Sequence, residues 1–209
     1  GNMLASACRQ YHGNTDDDNR VEMEPEIFWN AADESIREAA ATSSNKIQAL
    51  SISSQGETFI PVDKCIKHVG PAIMNADNRS AEQVKVFEKE AGKQAIYSTC
   101  GCVLHPMYAL PKIFWLKQHC PEVYNAADKF LSVGDYILGR MGVKAFTDHS
   151  LASRTMAYDV TNRKWSDELL SVVGLPEYML PEVKASGTVA GKLSESAADI
   201  LRLKAGTVV

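Results

Sequence analysis

The chain has 209 residues, of which 45% are hydrophobic and 23% are charged, and its formal net charge is −4. This length supports one large domain or two small ones with a substantial hydrophobic core. The slightly acidic balance provides no positive field for nucleic acid or anionic lipid, so we expect neither partner. No apolar run approaches the ~20 residues that span a bilayer, and Gly1–Tyr11 lacks the pattern of a signal peptide, which predicts a cytoplasmic protein.

The first part of the chain predicts a strand, a polar loop and a helix. Leu4–Tyr11 is typical of a short strand, and the acidic run that follows predicts an exposed loop. A calcium loop beginning at Asn14 would need Gly where Asn19 stands and Glu where Pro25 stands, so a solvated loop is favoured. From Pro25 the apolar residues recur at helical spacing, which predicts a helix of about four turns.

The next segment predicts two strands separated by polar residues. Lys46–Ser53 is the near-continuous apolar run expected of a strand covered on both faces, and Thr58–Val62 is predicted to be its neighbour. Ser80 with Gln83 three residues later indicates a capping box at the start of a helix, and Gly92 is expected to end that helix.

The rest of the chain alternates helices with short strands. Further helices are predicted at Ala109–Gln118, Val133–Arg140, Asp167–Val173 and Glu195–Leu203, and short strands at Phe130–Val133, Met156–Asp159 and Met179–Val183. This alternation is typical of an α/β layered domain.

The five cysteines are an odd and scattered set, which favours reduced, packed thiols over a disulfide framework. Cys100 and Cys102, with His105 nearby, could form half of a zinc site. Zinc sites usually have Cys-x2-Cys spacing and a second pair of ligands, so we expect no metal site.

The common phosphate-binding and esterase motifs fail at specific positions. Gly187–Leu193 has three residues rather than four between its glycines, and Leu193 stands where a Walker A loop needs Ser or Thr. The sequence contains neither the G-x-G-x-x-G fingerprint of dinucleotide binding nor the G-x-S-x-G turn of esterases.

Polar residues stand instead at predicted strand ends: Gln55, Glu57, Asp77, Arg79 and His105. Strand ends are where open α/β sheets bind ligands, and carboxylates and amides suit the hydroxyls of a polyol. Two plainer interpretations stay open. Residues 55–57 could be only a hairpin turn, and Asp77 with Arg79 only a local ion pair at a helix start.

Six segments indicate more than residue spacing alone does. Their order and separation resemble the N-terminal domain of FGGY-family carbohydrate kinases. They are SISSQGETFIPVD, GPAIMNADNRS, HPMYALPKIFWLKQHCPEVY, FLSVGDYILGRMGV, TDHSLASRTMAYDVTNRKWSDELL and LPEV followed by SGTVAGKL. Met107–His119 is the most specific part and looks like the first signature of the family, with Ala109 where Pro, Ser or Thr is usual. Within the family the sequence looks most like the xylulose and gluconate kinases.

The resemblance implies a ribonuclease-H-like (actin-like ATPase) domain of the α/β class, with a mixed sheet flanked by helices. Residues 1–209 would be the substrate-side domain of a transferase that uses ATP and Mg2+ to phosphorylate a sugar or polyol hydroxyl. Family members begin with a strand carrying Asp-x-Gly-Thr and place their general base in a Gly-rich turn after the segment matched by Gly206–Val209. We therefore expect a chain that lacks its first strand or strands, the C-terminal ATPase domain and any catalytic residue, and that is inactive alone.

The resemblance also assigns the substrate-binding residues. Gln55, Gly56 and Glu57 match positions that contact sugar hydroxyls in the family. Asp77 and Arg79 match its W-x-D-x-R stretch, in which Asn75 replaces the usual aromatic residue. His105 completes the predicted set. Met107 takes the place of a substrate-contacting Tyr of glycerol kinases, which makes glycerol itself an unexpected substrate.

A second hypothesis, suggested by the same departures, is a non-catalytic sugar-binding or regulatory protein built on this half-fold. Under either hypothesis an exposed apolar cleft face would favour the pairing of copies, so a homodimer is a further expectation.

Overall fold

The computed structural model describes residues 2–16, 20–42 and 47–209. The helices in these ranges are α1 (Pro25–Thr42), α2 (Ala81–Glu90), α3 (Lys93–Cys100), α4 (Ala109–His119), α5 (Pro121–Ala126), α6 (Val133–Arg140), α7 (His149–Ser153), α8 (Asp167–Val173) and α9 (Glu195–Leu201). The strands are β1 (Asn14–Thr15), β2 (Val21–Met23), β3 (Phe59–Val62), β4 (Ala72–Ile73), β5 (Lys129–Ser132), β6 (Phe146–Asp148), β7 (Tyr158–Asp159), β8 (Lys164–Trp165) and β9 (Glu182–Lys184). Within the described residues, none of the helices combines the length and apolar character that crossing a bilayer requires.

The main sheet has five strands in the order β1-β2-β4-β3-β5, and each neighbouring pair is antiparallel. The pairing of β3 with β5 fixes the register, with Phe59 opposite Ser132 and Val62 opposite Lys129. Parallel pairing occurs between β6 and β9, while β7 and β8 form an antiparallel pair. Helices cover both faces, as the predicted mixed, layered architecture requires.

Strand β3 separates two hydrophobic cores. Phe59 belongs to the core formed with α2, α4 and α8, whereas Ile60 and Val62 belong to the core formed with α1, α6 and α9. Successive side chains of a strand point to opposite faces, so this short apolar strand stabilises both layers. The residues just before β3 are thereby held at the rim of the sheet.

The helices predicted from local signals are confirmed. The helix expected from Pro25 extends to Thr42, and the later helices match to within two residues. Helices α3, α5 and α7 were not predicted, because each is short and carries a weak apolar pattern. A capping box does occur, but at α6, where Ser132 and Asp135 bond reciprocally.

The box predicted at Ser80 is absent. The Ser80 hydroxyl donates to the Pro106 carbonyl at 3.0 Å, and the Gln83 side-chain amide donates to the side-chain oxygen of Gln118 at 2.8 Å. Both side chains therefore join α2 to the segment around α4 rather than capping α2.

Two predicted strands are also corrected. Residues 4–11 form no strand, and ion pairs of Arg9 with Glu34 and Glu38 join them to α1. Of the predicted strand Lys46–Ser53, Lys46 lies outside the described residues, and the remainder has a single bridge, from Ala49 to Val208. This segment is not the neighbour of β3, which lies between β4 and β5. Both segments lack a strand partner among the described residues, and an apolar pattern alone does not supply one.

The acidic loop is described only in part. His12, Asn14 and Asp16 are exposed, as predicted for a solvated segment, and the Arg20 amide donates to the Asp16 carboxylate at 2.8 Å. Residues 17–19 of the predicted loop lie outside the described residues.

Candidate functional site

The candidate site is built on a bend at Gly56 and Glu57, directly before β3. The Thr58 amide donates to the Gly56 carbonyl at 2.8 Å, and Glu57 adopts a φ of 63°. A side chain in this left-handed region costs backbone energy and is held only when its surroundings determine it. The bend is not the hairpin turn considered as an alternative, because β3 pairs with β4 and β5 and not with the residues before the bend.

Glu57 carries a buried carboxylate in an ion pair. Its residue is 8% exposed, and Arg154 binds its Oε1 through both Nε and Nη2. Arg154 follows α7 and also lies over the ring of Tyr108, with its guanidinium carbon 5.6 Å from the ring centroid. The pairing compensates the burial of the Glu57 charge, which without a partner would be costly.

The residues predicted beside Glu57 are brought together by a hydroxyl. Thr58 Oγ1 accepts from the backbone amide of Asn75 at 3.1 Å and from the side-chain amide of Gln55 at 3.3 Å. Gln55 is exposed and Asn75 is half-buried. Gln55, Glu57 and Asn75 therefore form one polar group at the end of β3 and β4.

A buried lysine bonds to the backbone that carries this polar group. Lys112 of α4 is fully buried, and its Nζ donates to the carbonyls of Glu57 at 3.1 Å and Met74 at 2.8 Å. Burial lowers the pKa of Lys112 to about 7, although the carboxylates of Asp77 and Glu57 raise it. Its place in the signature segment Met107–His119 is the sequence signal that could have identified Lys112.

The structure pairs the predicted residues Asp77 and Arg79 with each other, and their contact with substrate stays a prediction. Asp77 is fully buried, and the Arg79 guanidinium binds both of its oxygens, at 2.7 to 3.0 Å. Asp77 also accepts from the amides of Val21 and Arg79, while Arg79 binds Glu22 and lies over Trp115. This is the local ion pair that the spacing of the two residues also predicts. It ties β2 to the loop before α2.

His105 lies apart from the polar group, in the exposed segment before α4. Its Nδ1 accepts from the Met107 amide at 3.1 Å. In the described part of the chain no hydrogen bond joins it to Gln55 or Glu57. Substrate contact by His105 therefore stays a prediction.

The thiols near the site are packed rather than arranged around a metal. Cys100 and Cys102 are buried, and Cys102 Sγ donates to the Ser153 carbonyl at 3.2 Å. Cys8 and Cys65 are exposed, so the expectation that all five thiols are packed is corrected. Across 2–16, 20–42 and 47–209, no group of three or more His, Cys, Asp or Glu side chains could hold a metal ion.

Space for a ligand lies next to the bend. A cavity of about 30 Å³ beneath Gly56–Phe59 could hold a water molecule but not a sugar. A cleft of about 350 Å³ shares the Asp135 and Leu151 walls of this cavity, and its lining combines apolar side chains such as Leu50 and Phe146 with polar ones such as Ser54 and Asp148. Hydroxyl and carboxylate groups around such a cleft are suited to a ligand with several hydroxyls.

Sequence comparison identifies the family of this site. The model of the N-terminal domain of the FGGY family of carbohydrate kinases matches residues 1–209. A glycerol kinase from Thermococcus gammatolerans is 34% identical over 178 residues, which cover 82% of this chain and 36% of that relative. A xylulose kinase from Klebsiella pneumoniae is 30% identical over 189 residues, covering 90% of this chain and 39% of that relative.

Structural comparison gives the same family. A gluconate kinase from Lactobacillus acidophilus superposes with a TM-score of 0.89 at 25% identity, covering 96% of this chain and 41% of that one. A xylulose kinase from the same organism gives a TM-score of 0.88 at 25% identity, again covering 96% and 41%. The ribonuclease-H-like (actin-like ATPase) class predicted from the sequence is confirmed.

The chain spans about two fifths of the length of the relatives that it matches. Over that length the match is continuous, and it includes the bend before β3 and the signature segment of α4. This chain therefore belongs to the FGGY family of carbohydrate kinases.

Proposed function

We propose that this chain forms the carbohydrate-binding side of a sugar or polyol kinase, with Gln55 and Glu57 contacting substrate hydroxyls. The observation that carries the proposal is the buried Glu57 carboxylate, held by Arg154 on a left-handed bend beside the cleft. A strained backbone that presents a charged group is a common feature of binding sites. A fixed carboxylate accepts a hydroxyl in one direction and so discriminates against ligands that lack it.

The other predicted residues take distinct parts in this proposal. Gly56 leaves room for the base of the Arg154 side chain, Asn75 would contact the same ligand as Gln55, and His105 would contact only a ligand that extends toward α4. Asp77 and Arg79 act indirectly, by holding the loop that carries Asn75.

We also propose that 1–209 act as the substrate-side domain of a longer enzyme. The match to an N-terminal family domain and the coverage of about two fifths of the relatives support this. The phosphoryl donor is then ATP with Mg2+, as family membership implies. The contribution proposed for this chain is recognition and orientation of the carbohydrate.

Calorimetric titration of this chain with pentoses, ketoses, polyols and sugar acids tests the proposal. We expect saturable binding of at least one compound and its loss in Glu57→Gln. The exposed control Glu82→Gln should bind as the wild type does. Absence of binding across the panel, or full binding by Glu57→Gln, would contradict the proposal. ADP formation by the longer protein with the same sugar separates a kinase from a non-catalytic carbohydrate-binding protein.

A further inference from the structure

Arg154 was not among the predicted site residues, yet it makes the closest contact to Glu57. Both its Nε and its Nη2 bind the same carboxylate oxygen, Oε1. No hydrogen bond of the described residues engages the second oxygen, Oε2. The Glu57 side chain is 7% exposed, whereas that of Arg154 is 45% exposed.

Gly56 and Arg154 are shaped to fit each other. A Cβ atom added at Gly56 would lie 2.9 Å from Arg154 Cβ and 3.0 Å from Arg154 Cγ. These atoms belong to the base of the arginine side chain, which cannot move aside as its flexible end could. A residue larger than glycine at position 56 would therefore displace Arg154 from Glu57.

The backbone that carries Arg154 is fixed from several sides. The Arg154 amide donates to the Leu151 carbonyl at 3.0 Å. Cys102 Sγ donates to the carbonyl of Ser153, the residue before Arg154. The amide of Leu110 in α4 donates at 2.9 Å to the carbonyl of Thr155, the residue after Arg154. The guanidinium therefore projects from a rigid support toward the bend.

We propose that Arg154 is a positioning residue of the carbohydrate site, which holds Oε1 of Glu57 and thereby directs Oε2 toward a ligand hydroxyl. This inference rests on the proposed function, in which Glu57 contacts the carbohydrate. A charge-assisted pair in which two donors meet one oxygen orients a carboxylate more strongly than a single neutral hydrogen bond. Arginine suits the role because its donors are arranged in a rigid plane.

The first test observes the contact itself, without a ligand. The ¹⁵N–¹H correlation of Arg154 Nε should be protected from solvent exchange in the wild type, and this protection should be lost in Glu57→Gln. Gly56→Ala should also remove it, because the added methyl group displaces the arginine stem. An Nε–H signal that is unchanged in both variants would overturn the inference.

The second test measures affinity for the carbohydrate found by calorimetry. We expect Arg154→Met to bind about 10- to 100-fold more weakly, with Arg154→Lys restoring part of the loss because it keeps one donor and the charge. Arg37→Met is the matched control, since it removes an arginine that is ion-paired with Asp33 on α1. Its affinity should equal that of the wild type.

The two proposals fail in different ways. If the wild type binds no carbohydrate, the proposed function is contradicted, and the Nε–H signal alone decides whether Arg154 holds Glu57. If the wild type and Arg154→Met bind equally well, Glu57 needs no positioning and the inference is overturned while the proposed function stands.

Discussion

At the scale of single residues, buried ionisable groups surround the bend before β3. Asp135 of α6 is 2% exposed and lines both the small cavity and the neighbouring cleft. Burial raises the pKa of its carboxyl to about 7, although hydrogen bonds from Ser132 and Thr147 lower it. The folded chain therefore keeps a proton on Asp135 that the unfolded chain releases at about pH 4.

This difference predicts a pH-dependent stability. Between about pH 4 and pH 7 the unfolded state binds fewer protons at Asp135 than the folded state, so this residue lowers stability as pH rises. The slope is at most about 1.4 kcal/mol per pH unit. Asp135→Asn keeps an acceptor for the Ser132 amide but does not titrate, so it should gain stability relative to wild type between these pH values.

Urea denaturation of both proteins at pH 4.5 and pH 7.5 checks this prediction. Asp167→Asn, at an exposed position, serves as the control and should show no such relative gain. A stability difference between Asp135→Asn and wild type that is independent of pH would contradict it.

Lys112 gives a second prediction at this scale. In Lys112→Met the carbonyls of Glu57 and Met74 lose their buried donor, and an unpaired buried acceptor costs about 1–3 kcal/mol. At pH 8 the buried amine is mostly uncharged, so little relief from charge burial offsets this loss. Urea denaturation should show Lys112→Met to be less stable than wild type, while the exposed control Lys85→Met changes little. Equal stability of Lys112→Met and wild type would contradict the prediction.

At the scale of elements, β3 is the strand on which both cores depend. Ile60 at its centre is fully buried between α1, α6 and the sheet. Ile60→Ala should lower the free energy of unfolding by about 2–5 kcal/mol, as other buried isoleucine truncations do. Ile200→Ala is the matched control, because Ile200 of α9 is 48% exposed. Chemical denaturation measures both, and a loss at Ile60 no larger than at Ile200 would contradict a central role for β3.

The elements that the sequence predicts well are those with local signals. Helices α6 and α8 begin after their own cap residues, Ser132 and Ser166. The hydroxyls of these serines accept hydrogen bonds from backbone amides of the first helical turn. Strands depend on partners far along the chain, and several here have only two or three residues. Residues 47–53 show why an apolar run is insufficient: the pattern is typical of a strand, but only one bridge forms.

The same distinction holds within the site. Gln55, Glu57 and Asn75 could be predicted because their residue types interrupt or follow apolar runs and match family positions. Arg154 could not, because its significance lies in a contact with a residue 97 positions away. The burial of Lys112 and of Asp77 likewise follows from tertiary packing that no local pattern reveals.

At the scale of the whole molecule, apolar side chains remain accessible beside the 350 Å³ cleft. Val189 on its wall is 61% exposed, and Leu50 and Ile52 also line it. Exposed apolar surface of this kind favours association between copies. We therefore expect the mass measured by light scattering to rise with protein concentration, and Val189→Ser to reduce that rise.

Val103→Ser is the control for this prediction, because Val103 is 65% exposed and does not line the cleft. It should associate as the wild type does. A constant monomeric mass at every concentration would contradict the expected pairing of copies.

The close fit between Gly56 and Arg154 has a consequence for directed evolution. A substitution at position 56 clashes while Arg154 is in place, and a substitution at position 154 releases Glu57 while position 56 is still glycine. Neither position can be varied profitably alone, because residues in direct contact show non-additive effects. A library that aims to change the preferred carbohydrate should randomise both codons together, since single-site libraries would discard every useful combination at the first round of selection.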